Sequence, residues 1–323
     1  MKNTKNKKAI VRTDGGICSQ IIFGVLGKYL EDLGYEVKYD ITWFIENGKD
    51  CDGRFARDYS MEKAFPSMEL KIATNEEIKK LKRNTCSFSP YEYLHNLPDR
   101  VYISGYPKER ITKFFKYKDY FRANFDPVDK DFIQDIVSEV SNTNSCAVHV
   151  RRGDLANYNA FYGAAPSVEW FLEAMDIVAK NDDYTFYFFS DEPNWVKENI
   201  IPHTKYKCKI IDKNDSSKGY LDLYIMSKCK AFIASQGSLG IYARFLSEYD
   251  NALLIMPYWK DYVFQSFSNV IVLNEKPLPE DNEDKITEGL NKKIIKYKKS
   301  LSVFMVIYGI LLIALLFILL NKG

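Results

Sequence analysis

Ser145-Cys146-Ala147-Val148-His149-Val150-Arg151-Arg152-Gly153-Asp154 is the stretch on which the fold turns. Residues 146–150 form a short apolar run that ends abruptly in two adjacent cations and a glycine. Such a run, with no polar alternation, reads as a strand buried on both faces, the kind that parallel sheets contain. The same rhythm continues downstream. A helix is predicted over 166–180, with Pro166 near its first turn, then a strand over 184–189 and a short helix over 193–200. Strand 206–211, helix 221–228, strand 231–234, helix 239–246 and strand 252–256 follow. This alternation predicts a doubly wound α/β half of the nucleotide-binding type.

Upstream, residues 9–11 read as a buried strand, Asp14-Gly15-Gly16 as a turn, and 18–33 as an amphipathic helix stopped at Gly34; a second strand follows over 37–41. Residues 43–140 read as aromatic loops with helical stretches at 76–82 and 129–140 and few strands. The polar break Ser141-Asn142-Thr143-Asn144-Ser145 divides the chain into two Rossmann-like halves, 1–144 and 145–274. Residues 275–300, rich in Glu, Asp, Pro and Lys, read as a solvated linker. Residues 301–320 (LSVFMVIYGILLIALLFILL) carry no charge over a length that spans a bilayer, so a C-terminal transmembrane helix is expected. Lys292, Lys293, Lys296, Lys298 and Lys299 precede it and Lys322 alone follows, which predicts a membrane anchor with the globular part facing the cytoplasm. The N-terminal stretch has a basic run but no apolar signal region.

Net charge is only +2, from 45 basic and 43 acidic side chains, so a protein-wide footprint for nucleic acid is lacking. Six scattered cysteines without a CxxC pair, and three histidines, give no metal-ligand spacing. The thiols are expected to be reduced and mostly buried.

Ligands of an open parallel sheet sit beyond the carboxyl ends of its strands. There, Arg151 and Arg152 can direct forked donors at phosphate oxygens, with His149, Gly153 and Asp154 beside them; a surface pair between Arg152 and Asp154 is the plain alternative. Asp191 suits the N–H donors of a guanine edge, or else caps the next helix. Ser235, Gln236 and Ser238 stand at a helix N-terminus, where phosphate is held by backbone N–H groups or where serine simply caps. The turn with Gly15, Gly16 and Gln20 lacks the third glycine of a dinucleotide fingerprint, which excludes NAD. Asp14, at the end of the first strand, is placed for a general base. The one DxD pattern, Asp129-Lys130-Asp131, falls at a predicted helix start, where acidic residues favour the dipole without any metal.

Taken in order, these motifs resemble the α-1,2-fucosyltransferase family. His149-Val150-Arg151-Arg152-Gly153-Asp154 matches its His-x-Arg-Arg-Gly-Asp motif, and Phe189-Ser190-Asp191-Glu192-Pro193-Asn194-Trp195 its Phe-Ser-Asp-Asp-x-x-Trp. Residues 222–239, Met256-Pro257-Tyr258-Trp259 and Gly15-Gly16-Ile17-Cys18-Ser19-Gln20 add weaker matches, with Cys18 and Ser19 in place of Gly and Asn. The resemblance covers about residues 9–273. It implies a GT-B-like fold with an acceptor half, a donor half and inverting, metal-free transfer of fucose from GDP-fucose. The acceptor is a glycan hydroxyl, O2 of galactose by family default and lipid-linked for a membrane enzyme. It casts His149, Arg151, Arg152, Asp154, Asp191, Ser235, Gln236 and Ser238 as donor-binding, Arg151 as the group that stabilises the departing diphosphate, and Asp14 as the base. Arg151 is expected to be an exposed cleft residue on which the fold does not depend. The same architecture with another nucleotide sugar, and a membrane-anchored binding protein without turnover, are the competing readings.

Overall fold

Two fully parallel sheets organise the chain. The computed structural model describes residues 7–49, 56–89, 92–107, 113–153, 165–214, 216–257 and 267–273. The chain divides into two compact units, residues 1–274 and 275–323, and every described residue lies in the first. The expected linker 275–300 and transmembrane segment 301–320 lie outside the described residues, among which no helix is long and apolar enough to cross a membrane.

The first sheet holds β1 (Lys7–Arg12), β2 (Tyr35–Asp40), β3 (Thr85–Phe88) and β4 (Arg100–Gly105) in the order β2-β1-β4-β3. The second holds β5 (Ser145–Val150), β6 (Thr185–Ser190), β7 (Lys207–Ile210), β8 (Ala231–Ala234), β9 (Leu253–Met256) and β10 (Val270–Val272) in the order β10-β9-β8-β5-β6-β7. All six residues of β5 are buried, as a central parallel strand requires. The chain enters this sheet at its centre, winds outward through β6 and β7, then returns to build β8, β9 and β10 on the other side. The winding direction reverses between β5 and β8, and the ligand crevice of such a sheet opens at that switch point. In the first sheet the equivalent reversal lies between β1 and its neighbour β4.

Side chains alternate across β5. Cys146, Val148 and Val150 pack with Trp170, Phe171, Ala174 and Met175 of the helix Val168–Val178. Ala147 faces the other way, into a core shared with the helices Gly219–Ser227 and Leu239–Leu246. That core also takes Ile17, Cys18, Ile21, Ile22 and Val25 from the helix Ile17–Asp32 of the N-terminal half. One apolar cluster therefore joins the first helix to the second sheet.

Several expectations need correction. β3 and β4 lie in the stretch expected to hold few strands. Pro166 is outside its helix: Ser167 is the cap, its Oγ accepting from the Trp170 N–H at 3.2 Å. The five described cysteines are free thiols, three buried and two partly exposed.

Candidate functional site

The carboxyl end of β5 is stitched to both neighbouring strands. The Ser190 hydroxyl donates to the Val150 carbonyl at 2.8 Å, and the Arg151 N–H donates to Ser235 Oγ at 2.8 Å. The Arg152 N–H donates to Asp191 Oδ1 at 2.9 Å, and the Ser235 N–H to the His149 carbonyl at 3.0 Å. Ser190 from β6 and Ser235 from β8 thus hold the exit of β5 through polar groups that would otherwise be lost to the core.

The two arginines then part. Arg151 Nη1 pairs with Asp191 Oδ2 at 2.9 Å, with side chains only 19% and 9% exposed. Burial raises the Asp191 carboxyl pKa and the Arg151 charge opposes it. Arg152 instead lies over the Trp195 ring, its guanidinium carbon 3.8 Å from the centroid, with Glu192 at 3.5 Å. Arg152 braces the start of the helix Pro193–Asn199, while Arg151 runs its stem beside the turn after β8 and its guanidinium to the carboxylate after β6. One local alternative fails here. Glu192, not Asp191, stands at the helix cap position, and its side chain makes no capping bond. Asp191 is an orienting partner for Arg151. The alternative pairing of Arg152 with Asp154 lies outside the described residues, as does Asp154 itself.

Beyond β8 the backbone turns at Gly237, whose φ of +95° favours glycine. A side chain there would start 3.7 Å from His149 Cε1 and 3.8 Å from Arg151 Cγ, so this turn runs directly beside both. The helix Leu239–Leu246 starts immediately afterwards. Ser238 occupies its cap position without a side-chain capping bond, and Ser235 is committed to Arg151, so the plain capping alternative holds for neither serine. At Gly240 an added Cβ would meet Ala234 Cβ at 2.8 Å and His149 Cβ at 3.0 Å. The first turn of the helix therefore lies flush on β5 and β8, and its positive end is held at the crevice.

Two buried polar atoms in this cradle lack a partner among the described residues: His149 Nδ1 and Gln236 Oε1, on side chains 6% and 5% exposed. Burial, then the adjacent Arg151 charge, pull the His149 pKa down to about 3, so its ring is neutral. Unpaired buried polar atoms are costly in a finished core and marked where a ligand completes the bonding.

At the first sheet's switch point, Asp14 follows β1 and Tyr106 follows β4. The Tyr106 hydroxyl donates to Asp14 Oδ1 at 2.6 Å, and its ring packs on Phe23 at 4.9 Å between centroids. Gly15 takes a φ of +76°, and Gly16 caps the helix Ile17–Asp32. Gln20 has a structural job: Nε2 donates to the carbonyls of Gly15 (3.1 Å) and Asp58 (2.9 Å), and Oε1 accepts from the Ser60 N–H at 2.8 Å. Burial pushes the Cys18 thiol pKa up to about 12, with the Ser238 side chain opposing the rise, and Cys18 packs in one core with Ile241 and Tyr242. The helix that begins at the glycine turn thereby shares a core with the helix after β8.

Among the described residues no three His, Cys, Asp or Glu side chains are placed to hold a metal ion. Asp129 of the DxD pattern accepts from the Tyr220 hydroxyl at 2.6 Å. Sequence reading missed Tyr106, because the strand that delivers it was read as loop. It also missed the Arg152–Trp195 stack, although the two residues flank the ends of adjacent predicted elements.

The family model described as Glycosyl transferase family 11 matches residues 61–276, which include the β5, β6 and β8 strand ends but not the turn at Asp14. The alpha-1,2-colitosyltransferase of Escherichia coli is 27% identical over 166 residues, covering 48% of this chain and 54% of that protein. The chain thus spans about half the length of this curated relative. Among solved structures, POFUT1 in complex with GDP has a TM-score of 0.49 at 13% identity, covering 75% of this chain and 94% of that one. Fucosyltransferase NodZ from Bradyrhizobium has a TM-score of 0.45 at 12% identity, covering 75% and 94%.

Proposed function

The chain belongs to glycosyl transferase family 11, and from that premise we propose that it moves L-fucose from GDP-fucose to a glycan hydroxyl, O2 of galactose, by an inverting displacement that needs no metal ion. The observation that carries this reading is the cradle at the β5–β8 switch point. It combines a guanidinium fixed by a buried carboxylate, a helix N-terminus and two unpartnered buried polar atoms. A departing diphosphate develops negative charge as the glycosidic C–O bond breaks. Preorganised donors aimed at that charge lower the barrier because they need no reorganisation when it forms. Arg151 fills this role, and His149, Ser235, Gln236 and Ser238 line the donor's path. Asp191 acts through Arg151, and Arg152 through the helix it braces.

On the acceptor side, Asp14 takes the proton of the attacking hydroxyl while Tyr106 fixes its carboxylate. With an oxocarbenium-like transition state the base has modest work, since attack lags behind departure. A single displacement by the acceptor oxygen inverts the sugar carbon. Residues 301–320 serve as an anchor that keeps the catalytic unit on the cytoplasmic face, beside a lipid-linked glycan acceptor.

A second reading keeps the site and changes the sugar. The Escherichia coli relative is named for colitosyl transfer, and a pocket that tells two deoxy sugars apart by a few atoms is compatible with either. The deciding experiment incubates the purified full chain with each candidate donor and a galactosyl acceptor, in EDTA, and determines the product linkage. Transfer of fucose to O2 in EDTA is the expected result. Transfer of colitose alone selects the second reading, strict dependence on Mg²⁺ or Mn²⁺ overturns the metal-free step, and stabilisation by UDP rather than GDP overturns the donor.

A further inference from the structure

A second arginine stands near the donor cradle, and it comes from the N-terminal half. Arg57 Nη1 lies 3.8 Å from the point where a side chain on Gly16 would begin. Gly16 caps the helix Ile17–Asp32, and two residues further on Cys18 packs in one core with Ile241 and Tyr242 of the helix after Ser238, its thiol influenced by the Ser238 side chain and by the Arg57 charge. Ser238 follows Gly237, which borders Arg151 Cγ at 3.8 Å. Arg57 and Arg151 thus flank one continuous line of small groups: Gly16, Cys18, Ser238 and Gly237.

The segment that carries Arg57 is tied down on both sides. Its own N–H donates to the Gly48 carbonyl at 2.6 Å. The next residues are clamped by Gln20, which is 1% exposed and bonds both the Asp58 carbonyl and the Ser60 N–H. The same Gln20 amide bonds the Gly15 carbonyl. One buried side chain therefore locks the glycine turn and the arginine segment into a single unit. This accounts for a fully buried glutamine that offers its amide to the backbone on three sides.

We propose that Arg57 is a donor-binding residue that meets the diphosphate from the N-terminal half, opposite Arg151. The inference rests on the nucleoside-diphosphate reading given above. Two guanidinium groups on opposite walls suit the two charges of a diphosphate bridge, since each can form a forked contact with one phosphoryl group. The small residues between them leave the backbone accessible to the bridge.

The test is calorimetric titration of the full chain, wild type, R57A and R57K, with GDP and with GMP. R57A is expected to weaken GDP binding about tenfold, the loss of one charge-assisted contact, and to weaken GMP binding much less. The GDP-to-GMP affinity ratio therefore falls. R57K should recover part of the GDP affinity, because it keeps the charge and loses the fork. GDP binding within twofold of wild type in R57A overturns the proposal. Equal losses for GDP and GMP with a lowered melting temperature overturn it too, since they mark Arg57 as a structural strut. A wild-type chain that does not bind GDP at all overturns the donor reading itself, a result distinct from either.

Discussion

The two switch points of this molecule have the same topology and opposite chemistry. At β5 and β8 the strand ends deliver a guanidinium, a neutral imidazole and a helix N-terminus. At β1 and β4 they deliver a carboxylate held by a phenol. Parallel winding opens a crevice in either sheet. What fills it is decided by two or three residues beyond each strand. The cationic crevice is braced by long-range bonds from Ser190, Ser235 and Asp191. The acidic one relies on a single phenol and on the Gln20 clamp. In the proposed reaction the first holds charge in place and the second accepts a proton.

Arg151→Ala should have the largest effect, a loss of transfer of about a thousandfold, as expected for a donor aimed at developing charge. Sequence reading treated this arginine as an exposed residue the fold could spare. Its pairing with the mostly buried Asp191 changes that expectation. Removing it strands a carboxylate at a cost of about 2 kcal/mol, and a second change, Asp191→Asn, should restore much of the melting temperature without restoring activity. Wild-type stability in the single variant would mean that the ion pair is absent in solution.

The acidic crevice is probed more gently. Asp14→Asn should lower kcat about a hundredfold, and Tyr106→Phe about tenfold, both with GDP affinity unchanged. If either variant lost GDP affinity instead of turnover, the division of labour between the crevices would be wrong.

The smallest effect concerns His149 and is a stability effect. Its folded pKa is depressed to about 3, while the unfolded chain takes up the proton near pH 6.5. The unfolded state therefore binds more protons throughout this window, and stability falls as pH falls through it. From pH 6.5 to 5 the wild type should lose roughly 2 kcal/mol that His149→Gln does not lose. Parallel pH profiles in thermal melts of the two proteins would show that the ring is solvated.

The second sheet is readable because burial on both faces leaves largely apolar runs, unbroken in residues 231–234 and interrupted only by His149 in 146–150. β3 escaped because its four residues alternate between exposed and partly buried, and β4 because prolines at 98 and 107 frame it like a loop. Arg151 stands directly beyond β5, the place that the strand-end argument expects. At Asp191 it is the local cap alternative that fails: Asp-Glu-Pro is a good cap pattern, whereas the carboxylate accepts from a backbone N–H 39 positions upstream. Gln20 belongs to the glycine turn as expected, but its bonds to Asp58 and Ser60 arise from the tertiary fold and leave no trace in the local pattern.

The shared core has a temporal consequence. Ile17, Ile21 and Val25 share one core with Phe232, Ile241 and Leu254, more than two hundred positions later. During synthesis the first helix leaves the ribosome long before those residues exist, with its apolar side uncovered. Contacts of such sequence separation form slowly, and intermediates that await them are prone to associate. The nascent chain is thus most vulnerable in the interval between completion of β1 and emergence of β9, and chaperones that shield apolar helices would act in that interval.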